Sequence, residues 1–96
     1  MSAYLVALLK INDRKEFDKY RAGVHDTIDK HKGEIIVSNE NAEVIEGEWP
    51  YTKTVVIRFP SMEAAKRWYE SPEYQEVVKH RFRAAETNLI FIEGRL

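Results

Sequence analysis

Apolar residues follow two rhythms along this chain: short continuous runs rich in β-branched residues, and longer stretches in which they recur every three or four positions. Tyr4 to Ile11 is a run of the first kind, ended by Asn12-Asp13, and predicts a strand closed by a turn. Asp13 is placed to cap a helix whose Phe17, Tyr20, Val24, Ile28 and His31 share one face, with Gly33 as its stop. Ile35, Ile36 and Val37 make Glu34 to Ser38 a second strand. After a polar break at Asn39 to Asn41, Glu43-Val44-Ile45-Glu46 predicts its continuation past a kink or a short hairpin. Gly47 to Tyr51 contains Gly and Pro and reads as loop, and Thr52 to Phe59 as a strand ended by Pro60-Ser61.

The second half turns helical at Ser61, an N-cap residue with Glu63 in the first turn and with Met62, Ala65, Trp68 and Tyr69 on one face. Ser71-Pro72-Glu73 restarts the pattern, so a kinked continuation is expected to carry Tyr74, Val77, Val78, Arg81, Phe82 and Ala85. Asn88 to Glu93 closes as a last strand. The order is βαββαβ, the ferredoxin-like α+β arrangement of an antiparallel sheet with two helices on one face. Tyr4 to Leu9 and Leu89 to Ile92 are apolar at odd and even positions alike, whereas a sheet wet on one side alternates. A second copy of the chain is the economical cover for that other face, giving a homodimer of two sheets packed face to face.

Composition narrows the classes of function. The 96 residues suit one domain over 1–96, and 44% hydrophobic with 32% charged residues is a globular balance. A net charge of -1 leaves no positive excess for nucleic acid. The apolar run from Ala3 is too short for a membrane span or a signal segment, and the absence of cysteine removes thiolate chemistry and agrees with a reducing compartment, so the expected location is cytoplasmic.

The stretches Glu46-Gly47-Glu48-Trp49-Pro50, Thr54 to Ser61 and Trp68-Tyr69-Glu70-Ser71-Pro72-Glu73-Tyr74, with Tyr20-Arg21 and Gly33 before them, resemble the bacterial family known as domain of unknown function 1330. That resemblance implies the dimeric α+β barrel form of the ferredoxin-like fold. It lends no general reaction, although the superfamily holds cofactor-free monooxygenases, haem-degrading enzymes, lactone isomerases and ligand sensors. Two positions depart from the family pattern: Lys32-Gly33 replaces paired glycines, and Arg58 stands where an acid is common.

Arg81 is the candidate of most interest, a charge on an otherwise apolar helix stripe. Either its stem packs on the core with the head in water or paired with Glu46 or another acid, or its planar fork anchors an anion. Tyr20, Tyr74 and Trp68 read as core aromatics or as the lining of a pocket for a flat molecule, with Tyr69 beside them, and Trp49 as a lid or a dimer contact. His25 is a further ligand-facing candidate and possible general base. His25, His31 and His80 lack metal-binding spacing, so no metal or cofactor is expected. The expected function is binding of a small aromatic or carboxylate-bearing metabolite between sheet and helices. The alternatives are a cofactor-independent oxygenase or isomerase, and a structural or regulatory dimer without ligand.

Overall fold

The computed structural model describes residues 1–95, arranged as β1 (Ala3–Ile11), α1 (Arg14–Lys30), β2 (Glu34–Asn39), β3 (Lys53–Phe59), α2 (Met62–Glu70), α3 (Pro72–Ala84) and β4 (Ala85–Glu93). The strands form one antiparallel sheet in the order β2-β3-β1-β4. Alternation along β1 decides which face is which: Ala3, Leu5, Ala7 and Leu9 are buried beneath the helices, and Tyr4, Val6 and Leu8 point the other way. Ile57 and Phe59 of β3 join the buried side, where Trp68, Tyr74 and Val78 close the core.

The helix ends are where their capping residues place them. Asp13 accepts from the Glu16 amide at 3.1 Å and Ser61 from the Ala64 amide at 3.1 Å, each such cap being worth about 1 kcal/mol. Ser71 ends α2 and starts α3. Its hydroxyl donates to the Trp68 carbonyl at 2.7 Å and accepts from the Tyr74 amide at 3.3 Å. The segment read as a kinked continuation is therefore a separate helix, because Pro72 cannot extend α2 but fits the first turn of α3.

Three further expectations need correction. Glu43 to Glu46 is neither strand nor hairpin: pairing of β2 with β3 stops at Asn39 opposite Thr54, and the chain beyond is an exposed loop with Ile45 82% accessible. The kink lies earlier, as a bulge between Ile35 and Val37 that sets Ile35 against Ile57 on the helix side and Val37 against Val56 on the other. Phe82 is not on the apolar stripe of α3 but 60% exposed, and Ala85 belongs to β4, which starts earlier than its apolar run indicates.

The turn from α1 into β2 is tight. Gly33 could not carry a side chain without displacement, since a Cβ there would stand 2.6 Å from Ile28 Cγ2 and 2.9 Å from Phe59 Cε1. Lys32 before it takes the left-handed conformation, φ 60°.

Candidate functional site

The face of α1 that looks toward the sheet leaves a narrow cavity of about 60 Å³ over β1 and β3. Leu5, Ala7, Leu9 and Ile57 make its floor, and Phe17, Tyr20 and Val24 its α1 wall. It meets solvent between α1 and β2, where Arg21, His25, Ile35 and Ser38 on its rim are exposed.

Arg81 reaches this cavity from the last turn of α3, where the negative end of the helix dipole favours a cation. It is 5% accessible, and among the described residues no carboxylate lies within ion-pair distance, Glu46 included. Its partners are phenolic. Nη2 donates to the Tyr74 hydroxyl at 3.4 Å, that hydroxyl meets the Tyr20 hydroxyl at 2.9 Å, and the guanidinium stands 5.7 Å from the Tyr20 ring centre. Burial opposes the Arg81 charge, but the Tyr74 and Tyr20 oxygens more than offset it. Burial also holds both phenols above their ordinary range against the pull of Arg81, so at neutral pH they are hydrogen-bonding groups rather than ready bases.

Arg81 Nε is buried with no hydrogen-bond partner, and so is Thr87 Oγ1 on β4. Both residues border a shallow trough between α3 and β4, with Tyr69 and Phe82. A guanidinium that keeps a buried N–H unmatched has unused capacity for an acceptor.

The other candidates fall in different places. Trp68 borders the cavity but is fully buried, donates Nε1 to Thr27 Oγ1 at 3.0 Å and packs 4.0 Å from the Tyr74 ring centre, which makes it mainly core. His25 stands at the mouth with Nδ1 3.2 Å from the Arg21 carbonyl. His80 is drawn away to Glu16, at 2.7 Å, and His31 to the Thr27 carbonyl, at 3.1 Å. Trp49 is 41% exposed and stacks edge-on with Tyr51 at 5.3 Å, outside the cavity. Among the described residues no three histidine or acidic side chains gather as metal ligands would, and no helix is long and apolar enough to cross a membrane.

One cavity residue escaped the sequence reading. Lys53 opens β3 and is only 7% accessible, with its ammonium 5.3 Å from the Phe17 ring centre. Stepping back by twos from Phe59 through Ile57 and Val55 places it on the buried face, and this phase was the available signal. Burial, then the positive charge of Arg21, holds its pKa below the ordinary lysine value, with Glu40 opposing. Arg58, by contrast, lies on the outer face of the sheet and pairs across strands with Glu34. The cavity wall thus carries Arg21, Lys53 and Arg81 and no acid.

A four-stranded antiparallel sheet with its helices on one side and a cationic cavity between them defines a ferredoxin-like α+β protein. The chain belongs to the family described as domain of unknown function DUF1330, whose model matches residues 2–95. Among solved structures it is similar to a Rhodopseudomonas palustris protein of unknown function, at TM-score 0.84 and 16% identity over 99% of this chain and 83% of that one. A dimeric ferredoxin-like protein of unknown function from Jannaschia sp. CCS1 matches at TM-score 0.78 and 12% identity, covering 98% of this chain and 100% of that one. SnoaB, a cofactor-independent oxygenase from Streptomyces nogalater, matches at TM-score 0.70 and 12% identity, covering 99% and 94%. None of the curated proteins matches the chain in sequence. These likenesses establish the fold.

Proposed function

We propose that this protein binds a small carboxylate-bearing metabolite in the cavity between α1 and the sheet, with Arg81 as the anion anchor. The observation that carries this is Arg81 itself, a buried guanidinium with no acid beside it at the wall of an acid-free cavity. A charge removed from water costs several kcal/mol, of which the phenol oxygens offset part and a bound anion would offset more. The Tyr20 hydroxyl, bonded to that of Tyr74, is a neighbouring polar group of the lining. Of the two ligand classes expected from sequence, aromatic and carboxylate, the 60 Å³ enclosed favours a small carboxylate, since drug-sized ligands occupy roughly 300 Å³ or more.

The working unit in this proposal is a homodimer joined through the outer face of the sheet. That face presents Tyr4, Val6 and Leu8 of β1, Val56 of β3, and Ile90 and Ile92 of β4, the last two 55% and 52% accessible. Trp49, Val44 and Ile45 flank it from the 40–52 loop, bordering a trough with Val37 and Thr54. A continuous apolar face of this kind is an association surface, and the structural neighbours include proteins described as dimeric. A chain without cysteine suits a reducing compartment such as the cytoplasm. Light scattering at micromolar concentration is expected to give twice 11.3 kDa, and the monomer mass would end the dimer proposal.

Titration of wild type and Arg81→Leu with acetate, glyoxylate and benzoate tests the anchor. The expected result is binding of the small carboxylates, weakened by about 2 kcal/mol in Arg81→Leu, with folding stability within about 1 kcal/mol of wild type. Equal affinity in the variant, or no carboxylate binding at all, removes the anchor. A second reading, cofactor-independent oxygenase or isomerase chemistry, is supported by the position of His25 at the mouth, where an imidazole could take a proton from a bound ligand. Oxygen uptake on phenolic substrates that is lost in His25→Ala would favour it.

A further inference from the structure

Arg81 shares its cavity with a second cation that also lacks an acid partner, of different chemistry. Lys53 is buried and makes no hydrogen bond or ion pair with any described residue. The acids that act on it through space are engaged elsewhere, Glu40 with both Arg14 terminal nitrogens at 2.9 and 2.8 Å and Asp18 with Arg21 at 3.7 Å. Its backbone is firmly set, because the preceding Thr52 ties β3 to β1 through its amide to the Leu9 carbonyl at 2.7 Å and through its hydroxyl to the Ile11 amide at 3.1 Å. The two cations lie on one continuous wall: Lys53 over the Phe17 ring, Phe17 against Tyr20 with ring centres 5.7 Å apart, and Tyr20 under Arg81.

We propose that Lys53 is a carbonyl-binding lysine, whose amine condenses reversibly with the carbonyl of a small 2-oxo acid while Arg81 holds the carboxylate. This rests on the carboxylate site proposed above and names its ligand class. An amine partly desolvated in an apolar wall and set near other cations has more of its neutral, nucleophilic form at a given pH. Here the wall is Leu9, Phe17 and Val55, and the neighbouring cation is Arg21. In the reaction the Lys53 nitrogen forms a bond to the carbonyl carbon, and the carbonyl oxygen leaves with the two amine hydrogens as water. The product is a C=N bond, so no oxidant or reductant is consumed. The space available, enough for roughly four waters, matches a ligand of a few heavy atoms. Such a molecule presents a carbonyl to an amine and a carboxylate to the cationic lining of the same cavity.

Trapping with sodium cyanoborohydride, followed by peptide mass mapping, tests this on the wild-type protein. With glyoxylate, Nε-carboxymethylation is expected on Lys53 in clear excess over every other lysine and is expected to be absent in Lys53→Met. Arg81→Leu should slow glyoxylate labelling of Lys53 about tenfold, equivalent to 1.4 kcal/mol, while leaving labelling by acetaldehyde unchanged. Labelling spread over the surface lysines, with Lys53 no faster, overturns the proposal. If glyoxylate still binds in titration in that case, the carboxylate site survives without it. Labelling of Lys53 by glyoxylate and acetaldehyde alike, unaffected by Arg81→Leu, overturns the 2-oxo acid assignment and the anchor together.

Discussion

The hydroxyls of Tyr20 and Tyr74 meet at 2.9 Å across the seam between α1 and α3, directly beside the guanidinium of Arg81. Tyr20 lines the cavity and Tyr74 stands behind it, and their bond joins two helices that also meet through Glu16 with His80 and Arg83. It also explains how a buried arginine without an acid is tolerated: phenol oxygens accept what a carboxylate would otherwise accept.

The two tyrosines are therefore expected to differ on loss of the hydroxyl. Tyr20→Phe removes one partner from Tyr74, which keeps Arg81, and should cost about 1 kcal/mol. Tyr74→Phe takes the acceptor from Arg81 Nη2 and the partner from the Tyr20 hydroxyl together and should cost about 2 to 3 kcal/mol. Urea denaturation of both variants checks the order, and an equal or reversed cost would mean that Arg81 takes no support from Tyr74.

Much of the fold follows from period and punctuation, because strand and helix leave different rhythms in the chain and the caps Asp13, Ser61 and Ser71 mark the starts. What pattern could not supply is pairing. Val44 and Ile45 have strand-like neighbours, yet no strand runs beside them, and β propensity without a partner leaves a loop. The site was legible in part for the same reason. Arg81 stands out as a charge on an apolar stripe, but whether an acid from another element meets it is a tertiary fact. Lys53 was hidden because a single lysine at the start of a strand looks like an edge residue until the register with Leu9 fixes its face.

Trp68 should be costly to truncate. It is fully buried between Phe59, at 5.3 Å, and Tyr74, at 4.0 Å, and its indole N–H is matched by Thr27. Trp68→Ala is expected to lose roughly 3 to 5 kcal/mol in urea melts. A loss under about 1 kcal/mol would instead show that the site already had room.

Glu16 makes stability depend on acid. His80 Nδ1 at 2.7 Å, Arg83 Nη1 at 2.8 Å and Lys19 Nζ at 3.3 Å hold its carboxyl at a pKa of about 2, against an ordinary 4.5. A folded-state value below the unfolded one means that the unfolded chain binds the proton first as pH falls. The stabilisation is therefore complete above pH 4.5 and lost progressively from there to about pH 2. Glu16→Gln should flatten that part of the stability profile while leaving the α1–α3 packing in place. An unchanged slope between wild type and variant would show that Glu16 does not carry the acid response.

Lys32 offers a stabilising substitution. Its φ of 60° is left-handed, a conformation that costs a side-chain-bearing residue about 1 to 2 kcal/mol. Glycine removes that strain but returns about 0.5 to 1 kcal/mol through the greater freedom of the unfolded chain. The strain is the larger of the two, so Lys32→Gly should stabilise by about 0.5 to 1 kcal/mol. Gly33 gives the opposite sign on the next residue. It has no positive φ to relieve, and a methyl group there would press on Ile28 and Phe59, so Gly33→Ala should destabilise. Paired urea melts of the two variants check the turn geometry in one experiment, and a destabilised Lys32→Gly would mean that the Lys32 side chain contributes more at this turn than its backbone strain takes away.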